Sequence, residues 1–164
     1  MQTLREEMRD MRIAIDNGIS GALVAISDHD GSYIDGITMP SKLWKKRNEI
    51  AVLEVELWLR SVSGGLSKIL SVTVEAPGGS KSAQAASSMA GSFHAIRAIM
   101  DLYHIRWHRI TPQTWQKEML PNCKTGDTKP RALALAKELW PDETFLASPR
   151  CKVPHDGLID AALI

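Results

Sequence analysis

Apolar and polar residues alternate along three short runs near the start of the chain. "RIAIDNG" (12–18), "GALVAISDHDG" (21–31) and "SYIDGITMP" (32–40) read as strands, separated by Gly/Ser turns short enough to dictate an antiparallel meander. The pattern then changes period. Residues 42–62, "KLWKKRNEIAVLEVELWLRSV", spread Ile50, Leu53, Val55, Leu57, Trp58 and Leu59 among charges over a length that predicts a helix. "KILSVTVEAPGG" (68–79) alternates again, predicting a fourth strand that ends at Glu75 before Pro77. The small-residue run at 82–103 predicts a helix that packs closely on a neighbour. "IRWHRITP" (105–112) predicts a short strand, "QTWQKEML" a helical turn or more, and "TKPRALALAKELW" (128–140) a helix. The last segment, "HDGLIDAALI", predicts a helix of about ten residues, too short to stand alone, that docks on the body and breaks off at Ile164. A meander followed by helix, strand, helix, strand and helices predicts a mixed α/β sheet covered by helices.

Composition sets the frame. A chain of 164 residues, 44% hydrophobic, is expected to form one domain (1–164) with residues 1–10 as a polar leader. Cys123 and Cys151 show no metal-type spacing and fit a reducing compartment, and no run of about 18 apolar residues is present. A soluble, intracellular protein is expected. The net charge of +1 hides an asymmetry, because residues 94–137 carry eight Lys or Arg against three Asp or Glu.

Two of the predicted strands end on carboxylates, Asp16 and Glu75, which an apolar interior would reject. A β-helix-β unit after a meander lays the fourth strand parallel to the first, so both acids reach one edge of the sheet. Asp156 and Asp160 are four residues apart and share one face of the last helix. Taken singly, each acid is more often a turn or surface residue. Gathered together they would repel one another unless a cation intervened. An all-oxygen ligand set suits Mg²⁺ or Mn²⁺, and two such ions about 4 Å apart can drive phosphodiester hydrolysis.

The segments "IAIDNGISGALVAI", "VTVEAPGG", "ITPQTWQKEML", "DTKPRALALAKELWP" and "HDGLIDAALI" resemble, in this order, the motifs of RuvC-like Holliday junction resolvases, above all the phage and viral branch of the RNase H-like superfamily. The resemblance runs from Met11 to Ile164. It implies a five-stranded mixed sheet with helices on both faces, a homodimer, and Mg²⁺-dependent cutting of four-way and other branched DNA by paired symmetric nicks. It implies two Mg²⁺ per site, replaceable by Mn²⁺. The family's acids fall on Asp16, Glu75, Asp156 and Asp160, and its basic positions on Lys117 and Lys129. Within the basic stretch, Lys124 and Arg131 are further candidate DNA contacts. Two positions depart from cellular resolvases: Gly157 stands where these place an acid or His, and Gly78 where they place an aromatic wedge. A phage origin would put the protein in the cytoplasm of a bacterial host.

The second basic cluster, Lys42, Lys45, Lys46 and Arg47, is read as solvating the start of the 42–62 helix, with contact to a junction arm as the alternative. Of the five tryptophans, most are expected in the core or a dimer interface, and stacking on a base is the alternative for Trp115. His155 stands either beside the metals or solvated at the start of the last helix. Competing readings are an RNase H-type or transposase-like nuclease with the same acids, and a non-catalytic junction-binding module. An actin-like or sugar-kinase ATPase is disfavoured by the absence of a P-loop.

Overall fold

The computed structural model describes residues 10–79, 82–124 and 126–164; most of the expected polar leader lies outside them. The first three strands form as predicted: β1 (Met11–Asp16), β2 (Ala22–Ser27) and β3 (Tyr33–Thr38) pair antiparallel in succession. β1 runs from Met11 against Ser27 to Asp16 against Ala22.

Residues 42–62 depart from the predicted single helix. They split into a hairpin, β4 (Ser41–Trp44) and β5 (Arg47–Ile50), and a helix, α1 (Val52–Ser63). The helix is fixed by Val55, Trp58 and Leu59, which share one buried face, and it stops at Gly64 in the left-handed conformation. No comparable face exists upstream, where residues 41–49 are all exposed. The hairpin turn is made by Lys45 and Lys46, both at positive φ, and therefore lacks the Asn or Gly that announces such a turn in a sequence.

A 3-10 turn at Leu66–Lys68 leads into β6 (Ile69–Glu75), which lies parallel to and beside β1, as predicted. Helix α2 (Ala83–Leu102), capped by Ser82, crosses back to β7 (Trp107–Ile110), parallel to β6. The order of the five-stranded sheet is β3-β2-β1-β6-β7. Then come α3 (Pro112–Met119), α4 (Thr128–Leu139) and α5 (Asp156–Leu163).

Two apolar layers sandwich the sheet. Ile13, Ile15, Val72 and Val74 pack on α1 and α2 through Val55, Leu59, Ile96 and Met100. On the opposite face Ala22 and Val24 meet Trp115 of α3, Ala132 and Ala136 of α4, and Leu158, Ile159 and Ala162 of α5. Helices therefore cover both faces of a mixed sheet. Among the described residues no helix is long and apolar enough to cross a membrane.

Candidate active site

Side chains alternate across a strand, so with Ile13 and Ile15 facing α1 and α2, Asp16 faces the other layer, where α5 lies. The same parity on β6 sends Val72 and Val74 to the first layer and Glu75 to the second. Ile15 stands beside Val74 in the parallel register, which brings the two carboxylates level at the carboxyl ends of adjacent strands.

Two glycines let the third acid approach. A Cβ on Gly21 would run into the carbonyl oxygen of Asp16, so only glycine closes the turn behind that residue. A Cβ on Gly157 would lie 2.7 Å from the carbonyl oxygen of Ser20 and 2.8 Å from the carbonyl carbon of Gly21. Without side chains at these positions, the first turn of α5 seats directly on the β1–β2 turn. Asp160, one turn along, then faces the strand ends. The glycine that departs from the cellular motif thus has a packing role.

The electrostatics record the convergence. Burial, then the charges of Glu75 and Asp160, and a hydrogen bond with Glu75 push the Asp16 carboxyl up to about 8. Asp160 is raised to about 6 by burial, with Glu75 and Asp156 adding to the shift and Lys129 opposing it. These are half-buried acids that disfavour simultaneous ionisation. That is the condition a divalent cation relieves, and the donor set is all oxygen.

Asp156 stands apart from the other three. It is exposed on the first turn of α5 and pairs with the ammonium of Lys129 on α4. Among the described residues, no three His, Cys, Asp or Glu side chains are gathered tightly enough to enclose an ion as they stand. The donor chemistry fits a hard divalent ion. Lys129 engages one oxygen of Asp156, Oδ2.

Trp115 has a role that the pattern of residues did not reveal. Thr111 caps α3 by accepting from the amide of Thr114, Pro112 occupies the first turn, and Ile110 pairs with Glu75 in the sheet. α3 therefore starts at the carboxylate edge. Trp115, 1% exposed, donates its indole Nε1–H to Glu75 Oε1 at 2.7 Å. Buried in this way it has no free face for a base, which removes stacking as its role. The only clue in the sequence was a Pro-capped helix following a strand.

Lys117, Lys124, Lys129 and Arg131 are all exposed on α3, α4 and the segment between them, on the same side of the sheet as Asp160. His155 is half-buried immediately before α5, and its Nδ1 has no hydrogen-bond partner among the described residues.

No protein-family model and no curated protein matches the chain. Solved structures do. T. thermophilus RuvC in complex with a Holliday junction substrate superposes with a TM-score of 0.61 at 16% identity, covering 93% of this chain and 90% of that one. Another Thermus thermophilus RuvC structure gives 0.56 at 12% identity, covering 93% and 92%. At these identities the likeness establishes a RuvC-like fold.

Proposed function

We propose that the protein is a Mg²⁺-dependent, structure-specific endodeoxyribonuclease that resolves four-way DNA junctions and cuts other branched DNA by paired symmetric nicks. The observation that carries this reading is the gathering of Asp16, Glu75 and Asp160 at one sheet edge, with Asp16 and Asp160 raised by burial and mutual repulsion. Its setting is a fold shared with a protein solved on a Holliday junction. The motif order in the sequence points to the phage and viral branch of that group.

Asp16 and Glu75 would hold divalent ions between adjacent strand ends, Asp160 would close the site from α5, and Asp156 would join once Lys129 is drawn to DNA. Two Mg²⁺ or Mn²⁺ ions bound there would supply an activated water and charge neutralisation at the scissile phosphate. Trp115 holds one Glu75 oxygen, leaving the other free to ligate. Lys117, Lys124, Lys129 and Arg131 would neutralise the strand presented to the acids. The substrate's approximate two-fold symmetry suits a homodimer with one site for each cut strand. The reading treats residues 1–164 as one nuclease domain, acting in recombination or repair in the cytoplasm of a bacterial host.

The test is cleavage of a synthetic immobile four-way junction, with and without Mg²⁺, alongside forks, RNA–DNA hybrids and linear duplex. Paired symmetric nicks only with metal, and only on branched DNA, support the reading; preference for hybrids points instead to an RNase H-type enzyme. Asp16→Asn is expected to bind junctions and leave them intact, and cutting at the undiminished rate overturns the assignment.

The Lys129–Asp156 pair favours a second reading, a junction-binding module without catalysis, because it occupies one of the four acids. Calorimetry showing no binding of Mn²⁺ or Mg²⁺ would select it.

A further inference from the structure

Apart from Ile50, which is buried in the α1–α2 layer at the foot of β5, the β4–β5 hairpin belongs to neither apolar layer. Leu43 is 73% exposed and Trp44 56% exposed, while Trp58, Trp107, Trp115 and Trp140 are all at least half-buried. Trp44 stands directly opposite Arg47 in the ribbon, so the indole and the guanidinium lie on one face, and the ammonium of Lys45 lies 6.0 Å from the Trp44 ring. The turn places Lys45 and Lys46 side by side at positive φ, a conformation that lysine disfavours and glycine would accept freely. A solvated linker has no need of an exposed indole beside three cations, Lys45, Lys46 and Arg47, on a strained tip.

The hairpin also leaves the sheet at the carboxylate edge. Asp16 pairs with Ala22 and Ala22 with Thr38, and the amide of Met39 bonds the Gly21 carbonyl at 2.8 Å, immediately before β4 begins. Asn17, next to Asp16, ties that edge to α2 by donating to the Met89 carbonyl at 3.1 Å. Between the hairpin and this half of α2 runs a cleft of about 920 Å³, lined by Lys42, Lys46 and Arg47 with one carboxylate, Glu49 opposite Lys42, on one wall and by Gln84, Ser87 and Ser88 on the other. Cations facing hydroxyls and an amide suit a sugar-phosphate backbone. The cleft lies on the α1–α2 side of the sheet, opposite Lys117 and Lys129.

We propose that the β4–β5 hairpin is a second nucleic-acid contact: Trp44 stacks on an unpaired or end-exposed base at the branch point, while Lys42, Lys45, Lys46 and Arg47 hold the flanking phosphates. Aromatic faces flanked by cations bind bases in this way without reading their sequence. It would supply an aromatic at the branch, which Gly78 cannot. The inference depends on the nuclease reading only for its choice of branched DNA.

Binding is measured in EDTA, so that catalysis plays no part, on a four-way junction carrying 2-aminopurine at the crossover and on a linear duplex of equal length. Trp44→Ala is expected to weaken junction binding about 5- to 150-fold and abolish the 2-aminopurine quench, with less than about twofold change on the duplex. Lys45→Gly with Lys46→Gly keeps a turn that glycine accepts and is expected to lower the salt slope of log K by roughly 1.8. As a check that needs no variant, 5-bromouracil at the crossover is expected to photocross-link to Trp44 in the wild-type protein. Wild-type junction affinity and salt slope in both variants, or no cross-link to residues 42–47, overturns the proposal. So does a change in self-association with DNA affinity intact, which would make the hairpin a contact between copies, or equal loss of binding to anionic vesicles. A wild-type protein that passes these tests and cuts no branched DNA sinks the nuclease reading alone. One that cuts while the hairpin variants bind normally sinks only this inference.

Discussion

The indole Nε1–H of Trp115 donates to Oε1 of Glu75 at 2.7 Å, joining the fully buried core of α3 to a carboxylate at the mouth of β6. Hydrogen bonds to a charged acceptor contribute about 1.5–3 kcal/mol, so this one holds Glu75 in a single orientation. Trp115→Phe keeps most of the volume and removes the donor. We expect it to fold, to bind Mn²⁺ about tenfold more weakly by calorimetry, and to cut junctions correspondingly more slowly. Trp115→Ala adds a cavity and should cost about 3–5 kcal/mol in urea unfolding. Unchanged Mn²⁺ affinity in Trp115→Phe would show that the bond does not position the ligand.

Stability without divalent ions should fall as pH rises. Asp16 and Asp160 ionise near 3.8 in the unfolded chain but are raised to about 8 and about 6 in the folded protein. The folded state therefore holds protons that the unfolded state has released, and this advantage, complete below about pH 3.8, is lost as pH climbs through 6 and then 8. Each group contributes a slope of at most about 1.4 kcal/mol per pH unit within its window. Urea melts in EDTA at pH 5, 7 and 9 should show the decline, millimolar Mn²⁺ should reverse it at pH 9, and Asp16→Asn should flatten it. Stability that is level or rising from pH 5 to 9 in EDTA contradicts the shifts.

Gly157→Ala should destabilise the protein although alanine favours helices. The added methyl meets the Ser20 carbonyl and Gly21 backbone, neither of which can rotate away, so α5 must lift off the β1–β2 turn. Overpacking of this kind costs about 1–3 kcal/mol. Loss of Mn²⁺ affinity should accompany the lower melting temperature, because lifting α5 withdraws Asp160. A melting temperature at or above that of the wild type would show that the contact relaxes without cost.

Lys129→Ala separates a structural ion pair from a DNA contact. Both partners of the Lys129–Asp156 pair are largely exposed, and such pairs contribute little to folding, so the melting temperature should stay within about 2 °C. Junction affinity should fall, with the salt slope of log K reduced by about 0.9 for one lost phosphate contact. An unchanged slope would assign Lys129 to Asp156 alone.

The order and pairing of the sheet were legible because alternation is local and unambiguous where one face is buried: Ile13, Ile15, Val72 and Val74 could face only inward, which sent Asp16 and Glu75 to the other side. The hairpin at 41–50 was not legible. Its turn uses two lysines where glycine or asparagine would have signalled it, and two of its three apolar residues, Leu43 and Trp44, are not buried.

The amino-acid sequence alone determined the mixed sheet, the helices that cover it and which acids stand at strand ends, since each follows from periodicities of two or 3.6 residues and from turn lengths. Only the tertiary structure decided how those acids relate. Whether Trp115 reaches Glu75, whether Gly157 admits α5 to the Ser20 carbonyl, and whether Asp156 faces the other acids or Lys129 depend on atoms distant in the chain. Their separations are set by packing, which no local pattern encodes.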